Sequence, residues 1–438
     1  MSGESARSEE LWQRACRVLA AGRWSPSGGV ARIPGGALPL VVHSAHGCRT
    51  TDVEGRAYID YTMGWGTALL GFGHPAVDAA IRAQLELGFA PSLLSDVELA
   101  LAEELVAMIP CAEQVAFGKN GSDVLALAVR IARAHTGRET IAFCGYHGIQ
   151  DWYMAADPGC AGIPAALREL ILPFRYGELA SLERLFVEHP RAIAAVVMEA
   201  TTESLPPPGF LAGVRALAER HGAVLVFDEV ITGFRLAPGG AQEYFGVEPH
   251  LACFAKCMAN GLPLAALVGP RELDSVVSGA RYGLTFRGEA LSLAAARATL
   301  RVCREEPVAA HVWSVGERLR GGVHEHGRKL GVPVHLAGPG PRTTFHFEPL
   351  DGLGELAQLS LFVQECLVRG VLHNGNLLPS LAHGEQDVEQ TLAVFHEALT
   401  VVARAREQRS TEGLLHLAPL QRFQDVWSDS MRRRDAHG

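Results

Sequence analysis

Continuous apolar runs alternate with amphipathic segments through the middle of the chain. The runs at 140–144, 193–198 and 223–227 contain almost only apolar residues, which is typical of strands that are buried on both faces. The segments at 179–188 and 210–221 carry apolar residues at helical spacing. This alternation of strands and helices predicts a mostly parallel sheet with right-handed crossover connections.

Two neighbouring predicted strands end on residues that carry chemistry. The strand at 223–227 leads into Asp228, and a second short strand at 251–255 leads into Lys256. Open α/β sheets bind their ligands at the carboxyl ends of such strands. A lysine there can form a Schiff base with the aldehyde of pyridoxal 5'-phosphate (PLP), and an aspartate can pair with the pyridine nitrogen. Lys256 and Asp228 at one edge of the sheet therefore suit the chemistry of a PLP enzyme. The alternative is a surface lysine and an aspartate at the first turn of a helix in an unrelated α/β protein.

The ends of the chain have a different pattern. Residues 8–21 carry apolar positions at helical spacing, and a Gly-, Pro- and Ser-rich arm follows at 22–36. Short antiparallel strands are predicted between residues 40 and 61, and beyond residue 312 helices alternate with shorter strands. We predict an N-terminal helix, arm and small-domain strands at 1–60, a large PLP-binding α/β domain at 61–310, a C-terminal small α+β domain at 311–405, and a C-terminal extension at 406–438.

A helix start after the short strand at 115–119 predicts an anion site. Gly121 allows the backbone to approach a ligand closely, and Ser122 is a natural N-cap for the helix predicted at 124–135. The first N–H groups of a helix and the positive end of its dipole attract a phosphate. A capped helix start is weak evidence alone, because most serve only as caps.

The segment around Asp228 and Lys256 resembles the signature of the class III aminotransferases, and most closely the branch that includes glutamate-1-semialdehyde aminomutase. The resemblance runs from about residue 40 to residue 398. It implies fold-type I of the PLP-dependent transferases, an α/β fold with a mostly parallel sheet in the large domain and a smaller α+β domain, paired as a homodimer. The motifs are Asp228-Glu229-Val230-Ile231-Thr232-Gly233-Phe234-Arg235, Gly246-Val247-Glu248-Pro249, Lys256, and Asn260-Gly261-Leu262-Pro263-Leu264-Ala265-Ala266.

The resemblance also implies how PLP is held. The family carries Ser-Gly-Ser/Thr-Glu at the phosphate, and this chain has Asn-Gly-Ser-Asp, which keeps Gly121 and the hydroxyl of Ser122. Tyr146, in a Tyr-His-Gly motif, corresponds to the aromatic residue that stacks on the pyridine ring, a contact worth about 1 kcal/mol. Val230, close behind the aspartate, is a further cofactor-binding residue. Thr285 matches a threonine that binds the PLP phosphate of the opposite subunit.

Other parts of the motifs leave alternatives open. The Asn-Pro that usually follows the threonine segment is replaced by Glu289-Ala290. His147 either hydrogen-bonds at the site or is structural. Arg235 either binds a substrate carboxylate or pairs with a nearby glutamate.

Three substrate-binding residues are implied by the resemblance. Trp65 corresponds to an aromatic residue on the substrate side of the cofactor, with core packing as the alternative. Glu199 corresponds to the glutamate of a Glu-Pro motif, although here alanine follows it. Arg32 is the nearest match to an arginine that binds a substrate carboxylate, with a solvated loop arginine as the alternative.

Composition narrows the class of protein. The formal net charge is -9 and there is no basic stripe, so nucleic acid is not an expected partner. No apolar run approaches the ~20 residues that a membrane span needs. The nine cysteines show no paired spacing and complete no zinc set, so we expect no metal and reduced thiols in a cytoplasmic protein.

The predicted activity is transfer of an amino group from a donor, with glutamate the family's habit, to an aldehyde or ketone acceptor. A role in the biosynthesis of sugars or specialised metabolites is the associated expectation. The alternative is a PLP-dependent isomerase, either a 2,1-aminomutase or an amino-acid epimerase. Lys256 and Asp228 are required by all of these reactions, so they do not separate them. A third possibility, a binding protein that has lost catalysis, is opposed by the intact Lys256.

Overall fold

A computed structural model of the chain describes residues 6–19, 41–272 and 277–416. The chain divides into two compact units, and each is described by itself. The large unit consists of residues 66–68 and 75–309, and the small unit consists of 1–65, 69–74 and 310–438 as far as they are described.

Besides the four-residue helix Met63–Gly66, in which Gly64 and Trp65 have a left-handed backbone, the structure has the strands and helices that follow. The strands are β1 (Val42–His46), β2 (Arg49–Asp52), β3 (Ala57–Asp60), β4 (Gln114–Gly118), β5 (Thr140–Cys144), β6 (Ile171–Pro173), β7 (Ile193–Met198), β8 (Val224–Asp228), β9 (Leu251–Phe254), β10 (Ala265–Gly269), β11 (Val334–Ala337), β12 (Thr343–Phe347), β13 (Val371–Leu372) and β14 (Asn376–Leu377). The helices are α1 (Ala6–Val18), α2 (Pro75–Leu87), α3 (Asp96–Met108), α4 (Gly121–Thr136), α5 (Asp151–Met154), α6 (Ala165–Arg168), α7 (Leu179–Glu188), α8 (Phe210–His221), α9 (Ala241–Phe245), α10 (Ala290–Glu305), α11 (Val308–Leu330), α12 (Glu355–Val368) and α13 (Glu385–Gln408).

The large unit is organised around a sheet with the strand order β4-β10-β9-β8-β7-β5-β6. The pairings from β9 through β8, β7 and β5 to β6 are all parallel, which confirms the predicted mostly parallel sheet. Every residue of β5, β7, β8 and β9 is buried, and this explains their continuous apolar sequences. Because Asp228 on β8 pairs with Cys253 on β9, the two strands end side by side.

One strand of this sheet was not predicted. β10 runs antiparallel to both of its neighbours, β4 and β9. It follows a reversal at Asn260 and Gly261, whose φ angles are +43° and +108°. Its sequence contains a single β-branched residue, Val268, so local strand preference is weak. Pairing on both sides, rather than the segment itself, fixes its conformation.

The small unit contains two small sheets, β1-β2-β3-β13 and β11-β12-β14. The first three strands are antiparallel, as predicted, and β13 adds in parallel to β3. Phe345 of β12, Phe362 of α12 and Phe395 of α13 contact one another, with ring centroids 4.7 to 5.4 Å apart. These rings lie at the centre of the apolar core that joins helices and strands in this unit.

The start of helix α4 corrects one prediction. Its N-cap is Asn120, so the assignment of Ser122 as N-cap is wrong, and Gly121 and Ser122 are the first two residues of the helix. The reason lies in Asp123, whose Oδ2 accepts the backbone N–H of Asn120 at 2.8 Å and fixes the helix start there. The helix ends at Gly137, which has a φ of +66°.

Within 6–19, 41–272 and 277–416, no helix is long and apolar enough to cross a membrane. The same ranges hold no group of three or more His, Cys, Asp or Glu that could bind a metal ion.

Candidate active site

A cavity of about 380 Å³ lies in the large unit, at the carboxyl ends of its parallel strands. The segments that follow β4, β5, β7, β8 and β9 each contribute to its lining. The structure therefore brings together residues that are far apart in the sequence. The predicted site residues on the lining are Gly121, Ser122, Tyr146, Glu199, Asp228, Val230 and Lys256.

Asp228 is held in place by its own strand end and by His147. Its Oδ2 lies 2.8 Å from Nδ1 of His147, and its Oδ1 accepts the backbone N–H of Val230 at 3.0 Å. Both side chains of the pair are almost completely buried. The second ring nitrogen of His147 lies 3.0 Å from the carbonyl oxygen of Cys144. Each ring nitrogen of His147 thus lies within hydrogen-bond distance of an oxygen atom.

His147 is a residue of this site whose role could not be decided from the sequence. It lies two residues beyond Gly145, after the end of β5, and Asp228 ends β8 at the same edge of the sheet. Its proximity to the end of β5 was the available signal. The pairing with Asp228 required the strand order β8-β7-β5, which the sequence does not specify.

Lys256 follows β9 with an unusual backbone conformation. It is the first residue of a short 3₁₀-helix, Lys256–Ala259, and its φ is +43°. A left-handed backbone at a residue other than glycine costs about 1–3 kcal/mol, and such residues concentrate at functional sites. The chain has only three lysines, and two of them, Lys119 and Lys256, line the cavity. The third, Lys329, is an exposed residue of α11.

The start of α4 forms a close-fitting cradle. A Cβ atom on Gly121 would lie 2.7 Å from Cγ2 of Val230, so any larger residue would collide. A Cβ atom on Gly148, whose φ is +94°, would collide with the hydroxyl of Ser122. The first N–H groups of a helix lack acceptors within the helix, and the helix dipole adds positive potential there. The cradle can therefore bind an anion such as phosphate.

Tyr146 and Glu199 also line the cavity. Burial raises the pKa of the Tyr146 phenol, and the negative charge of Asp228 raises it further. The ring of Tyr146 meets that of Tyr153 edge-on, with centroids 5.7 Å apart. Glu199 is 5% exposed, and its Oε1 would lie 3.2 Å from a Cβ atom on Gly145. The lining thus offers a flat aromatic ring and a buried carboxylate.

Three predicted site residues lie elsewhere. Thr285 is exposed in the segment before α10 and is not among the described lining residues. Trp65 is half-buried in the small unit, in the short helix that begins at Met63, and its φ is +62°. Arg32 lies outside the described residues. The roles assigned to these three residues stay predictions.

Arg235 is fully buried in the large unit. Its Nη2 donates to the carbonyl oxygen of Gly66 at 3.0 Å and lies 3.4 Å from Sγ of Cys257. Glu229, a glutamate near Arg235 in the sequence, accepts the N–H groups of Ala241 and Gln242 at 2.8 and 2.9 Å. These contacts connect Arg235 to the segment that follows Lys256.

The lining matches the functional groups of PLP one by one. Lys256 offers an amine for the aldehyde, and Asp228 offers a buried carboxylate for the pyridine nitrogen. The cradle at Gly121 and Ser122, which a Cβ atom would fill, suits the phosphate. Tyr146 offers a ring for stacking. A cavity of about 380 Å³ lies within the range of cofactor sites.

Comparison with known proteins agrees with this chemistry. The family model "Aminotransferase class-III" matches residues 32–399. The glutamate-1-semialdehyde 2,1-aminomutase of Syntrophobacter fumaroxidans is 34% identical over 426 residues, which covers 90% of this chain and 98% of that protein.

Two solved structures show the same fold. The PLP internal aldimine form of the FumI protein from Sphingopyxis sp. MTA144 is 31% identical and has a TM-score of 0.86, covering 96% of this chain and 100% of that one. An omega-transaminase from Sphaerobacter thermophilus is 27% identical with a TM-score of 0.82, covering 92% and 99%. The neighbours confirm the predicted fold-type I architecture and the predicted cofactor.

Proposed function

Because this chain belongs to the class-III aminotransferases and uses PLP, we propose that it moves an amino group from glutamate to an aldehyde or ketone acceptor. The observation that carries the proposal is the meeting of Lys256 with the buried Asp228–His147 pair on one cavity. The acceptor is proposed to be a small molecule of sugar or specialised metabolism.

The proposal gives a task to each of six residues. Bound PLP supplies the electron sink for the reaction. The carboxylate of Asp228, with His147 behind it, holds a proton at the pyridine nitrogen. Nζ of Lys256 removes the proton from the α-carbon of the donor as a general base and later returns it as a general acid. Gly121, Ser122 and, from the neighbouring subunit, Thr285 bind the phosphate.

The absorption spectrum of the purified enzyme tests the proposal. We expect a visible PLP band that bleaches when L-glutamate is added without any acceptor, with one equivalent of 2-oxoglutarate released per bleached site. An enzyme that keeps its yellow colour in glutamate and in other amino acids would contradict intermolecular transfer from these donors. A colourless protein that does not take up added PLP would contradict the assignment as a whole.

A second candidate, a 2,1-aminomutase, is favoured by the name of the 34%-identical relative. Such an enzyme moves the nitrogen within one molecule and needs no separate donor. Glutamate-1-semialdehyde, given alone, would then be converted completely without release of 2-oxoglutarate. An aminotransferase loaded with PLP would not sustain that conversion, so the two candidates give opposite results in a single assay.

The partner in the assembly is proposed to be a second copy of this chain. The end of α2 and the segment after it expose a run of large apolar side chains, with exposed fractions from 47% to 83%. Isolated exposed apolar residues are ordinary, but a run of this kind marks an interaction surface. The residues are Leu85, Leu87, Phe89, Leu93 and Leu94.

All nine cysteines are free, which supports the proposal of a reducing, cytoplasmic compartment.

Replacing Leu93 and Leu94 together with glutamate is expected to convert the dimer into a monomer and to reduce PLP retention. Two charges in an apolar interface leave uncompensated carboxylates there, which costs several kcal/mol of association free energy. Sedimentation velocity gives the mass. Val187→Glu on α7 is the matched control, because Val187 is 73% exposed but lies outside this run. A double variant that stays dimeric would remove this surface from the interface.

A further inference from the structure

Lys119 lines the cavity at the end of β4, yet the reaction proposed above gives it no task. Its Nζ donates to Oε2 of Glu289 at 3.0 Å and to Oγ of Ser292 at 3.2 Å. The side chains of Lys119 and Glu289 are each only 16% exposed. The contact joins the cradle segment to the first turn of α10, more than 160 residues further along the chain.

Glu289 is a well-fixed partner. It is the N-cap of α10, and its carboxylate accepts the N–H of Leu291 at 2.7 Å and the hydroxyl of Ser292 at 2.5 Å. Burial favours the neutral acid, but the hydrogen bonds from Ser292 and Lys119 outweigh it and lower the pKa of the Glu289 carboxyl. The ionised carboxylate also faces the positive end of the α10 dipole. Lys119 thus forms an ion pair with a carboxylate whose position is fixed by other hydrogen bonds.

The backbone just before the cradle residues is held by hydrogen bonds to Asp123. The N–H groups of Lys119 and Asn120 both point to Oδ2 of Asp123, at 3.3 and 2.8 Å. Asp123 therefore holds the segment to its own helix, and the side chain of Lys119 holds it to α10. Between these two attachments lie Gly121 and Ser122, the cradle residues.

We propose that Lys119 is a positioning residue which, through Glu289, fixes the cradle before the phosphate arrives and so determines how tightly the chain retains PLP. The inference rests on the proposed function, because it takes the cradle to be the phosphate site. Glu289 stands at a position where the resemblance to the family implies asparagine. A cradle fixed in advance loses less conformational freedom when the ligand binds, and it therefore binds the ligand more tightly.

The pair must be distinguished from a simple charge effect. If Lys119 attracted the phosphate by its charge alone, Glu289→Gln would release that charge and PLP would bind as tightly or more tightly. If Lys119 acts by position, Glu289→Gln loosens the cradle and weakens PLP binding although the positive charge remains. For Glu289→Gln, the charge mechanism therefore predicts an unchanged or lower dissociation constant for PLP. The positioning mechanism predicts a higher one.

The test is a titration of the apo-enzyme with PLP, followed by its visible absorption. We expect Lys119→Met and Glu289→Gln each to raise the dissociation constant about tenfold, a change of roughly 1.4 kcal/mol in binding free energy. The double variant should be no weaker than either single variant, because both remove the same contact. Lys119→Arg, which keeps the ion pair, should recover most of the affinity. Lys329→Met, which breaks the exposed pair with Glu325 on α11, is the control.

The outcomes are separable from those of the proposed function. The inference would be overturned if Lys119→Met bound PLP with wild-type affinity or if Glu289→Gln bound it more tightly. Losses of PLP binding free energy that add fully in the double variant would also overturn it. So would a loss of turnover in Lys119→Met that saturating PLP does not restore, because it would indicate a chemical role. A wild-type enzyme that takes up PLP but transfers no amino group would refute the proposed function and leave the positioning role standing.

Discussion

Replacing Lys256 with alanine is expected to abolish turnover and to remove the visible PLP band. The substitution deletes the only amine at the end of β9, so neither covalent attachment of PLP nor proton transfer at the α-carbon has a group to perform it. We expect turnover to fall by at least about 10⁴-fold, which corresponds to roughly 5 kcal/mol of barrier. Steady-state kinetics and absorption spectra measure both effects. An active variant with normal colour would refute the assignment.

The scarcity of lysine makes a direct control possible. With only three lysines in the chain, borohydride reduction of the PLP-loaded enzyme leaves the cofactor on one of three distinguishable peptides. We expect the label on the peptide that contains Lys256. Lys329→Ala should keep wild-type labelling and turnover, because Lys329 is an exposed residue of α11. Labelling at Lys119 would mean that the other lysine of the cavity performs the chemistry.

Replacing Asp228 with alanine is expected to reduce turnover by about 10²–10⁴-fold, the range over which a positioned acid or base contributes. The substitution removes the carboxylate that holds the proton at the pyridine nitrogen, and it also leaves His147 without its partner at 2.8 Å. Asp228→Asn keeps a polar contact to His147 but lacks the charge, so it separates charge from packing. Turnover and the position of the PLP band are the measurements. Near wild-type kinetics would mean that another carboxylate, such as Glu199, holds the pyridine nitrogen.

The parallel part of the sheet could be predicted because burial on both faces leaves a plain signal. β5 and β7 coincide with their predicted runs at 140–144 and 193–198, and α7 and α8 begin and end where the apolar spacing indicates. The ends of β8 and β9, next to which the two proposed catalytic residues lie, follow from the same pattern. Their lateral pairing does not, because strand order depends on contacts between distant segments.

What could not be predicted depends on tertiary contacts. β10 has little strand preference and exists because β4 and β9 pair with it on both sides. The start of α4 is set by the carboxylate of Asp123 rather than by the hydroxyl of Ser122. The ion pair of Lys119 with Glu289 and the contact of His147 with Asp228 both join segments that only the folded sheet brings together.

The way the two units share the chain has a consequence for synthesis on the ribosome. The large unit occupies one nearly continuous stretch, 75–309, so its sheet can be completed as soon as β10 and α10 have left the exit tunnel. The small unit needs both ends of the chain, since Ile59 of β3 pairs with Val371 of β13. Until β13 is synthesised, the sheet of β1, β2 and β3 therefore has an unpaired edge at β3. Such an edge is an aggregation hazard while translation continues. We expect a nascent chain to complete the sheet of the large unit before β3 pairs with β13, and to need protection of strands β1 to β3 more than of the cofactor site.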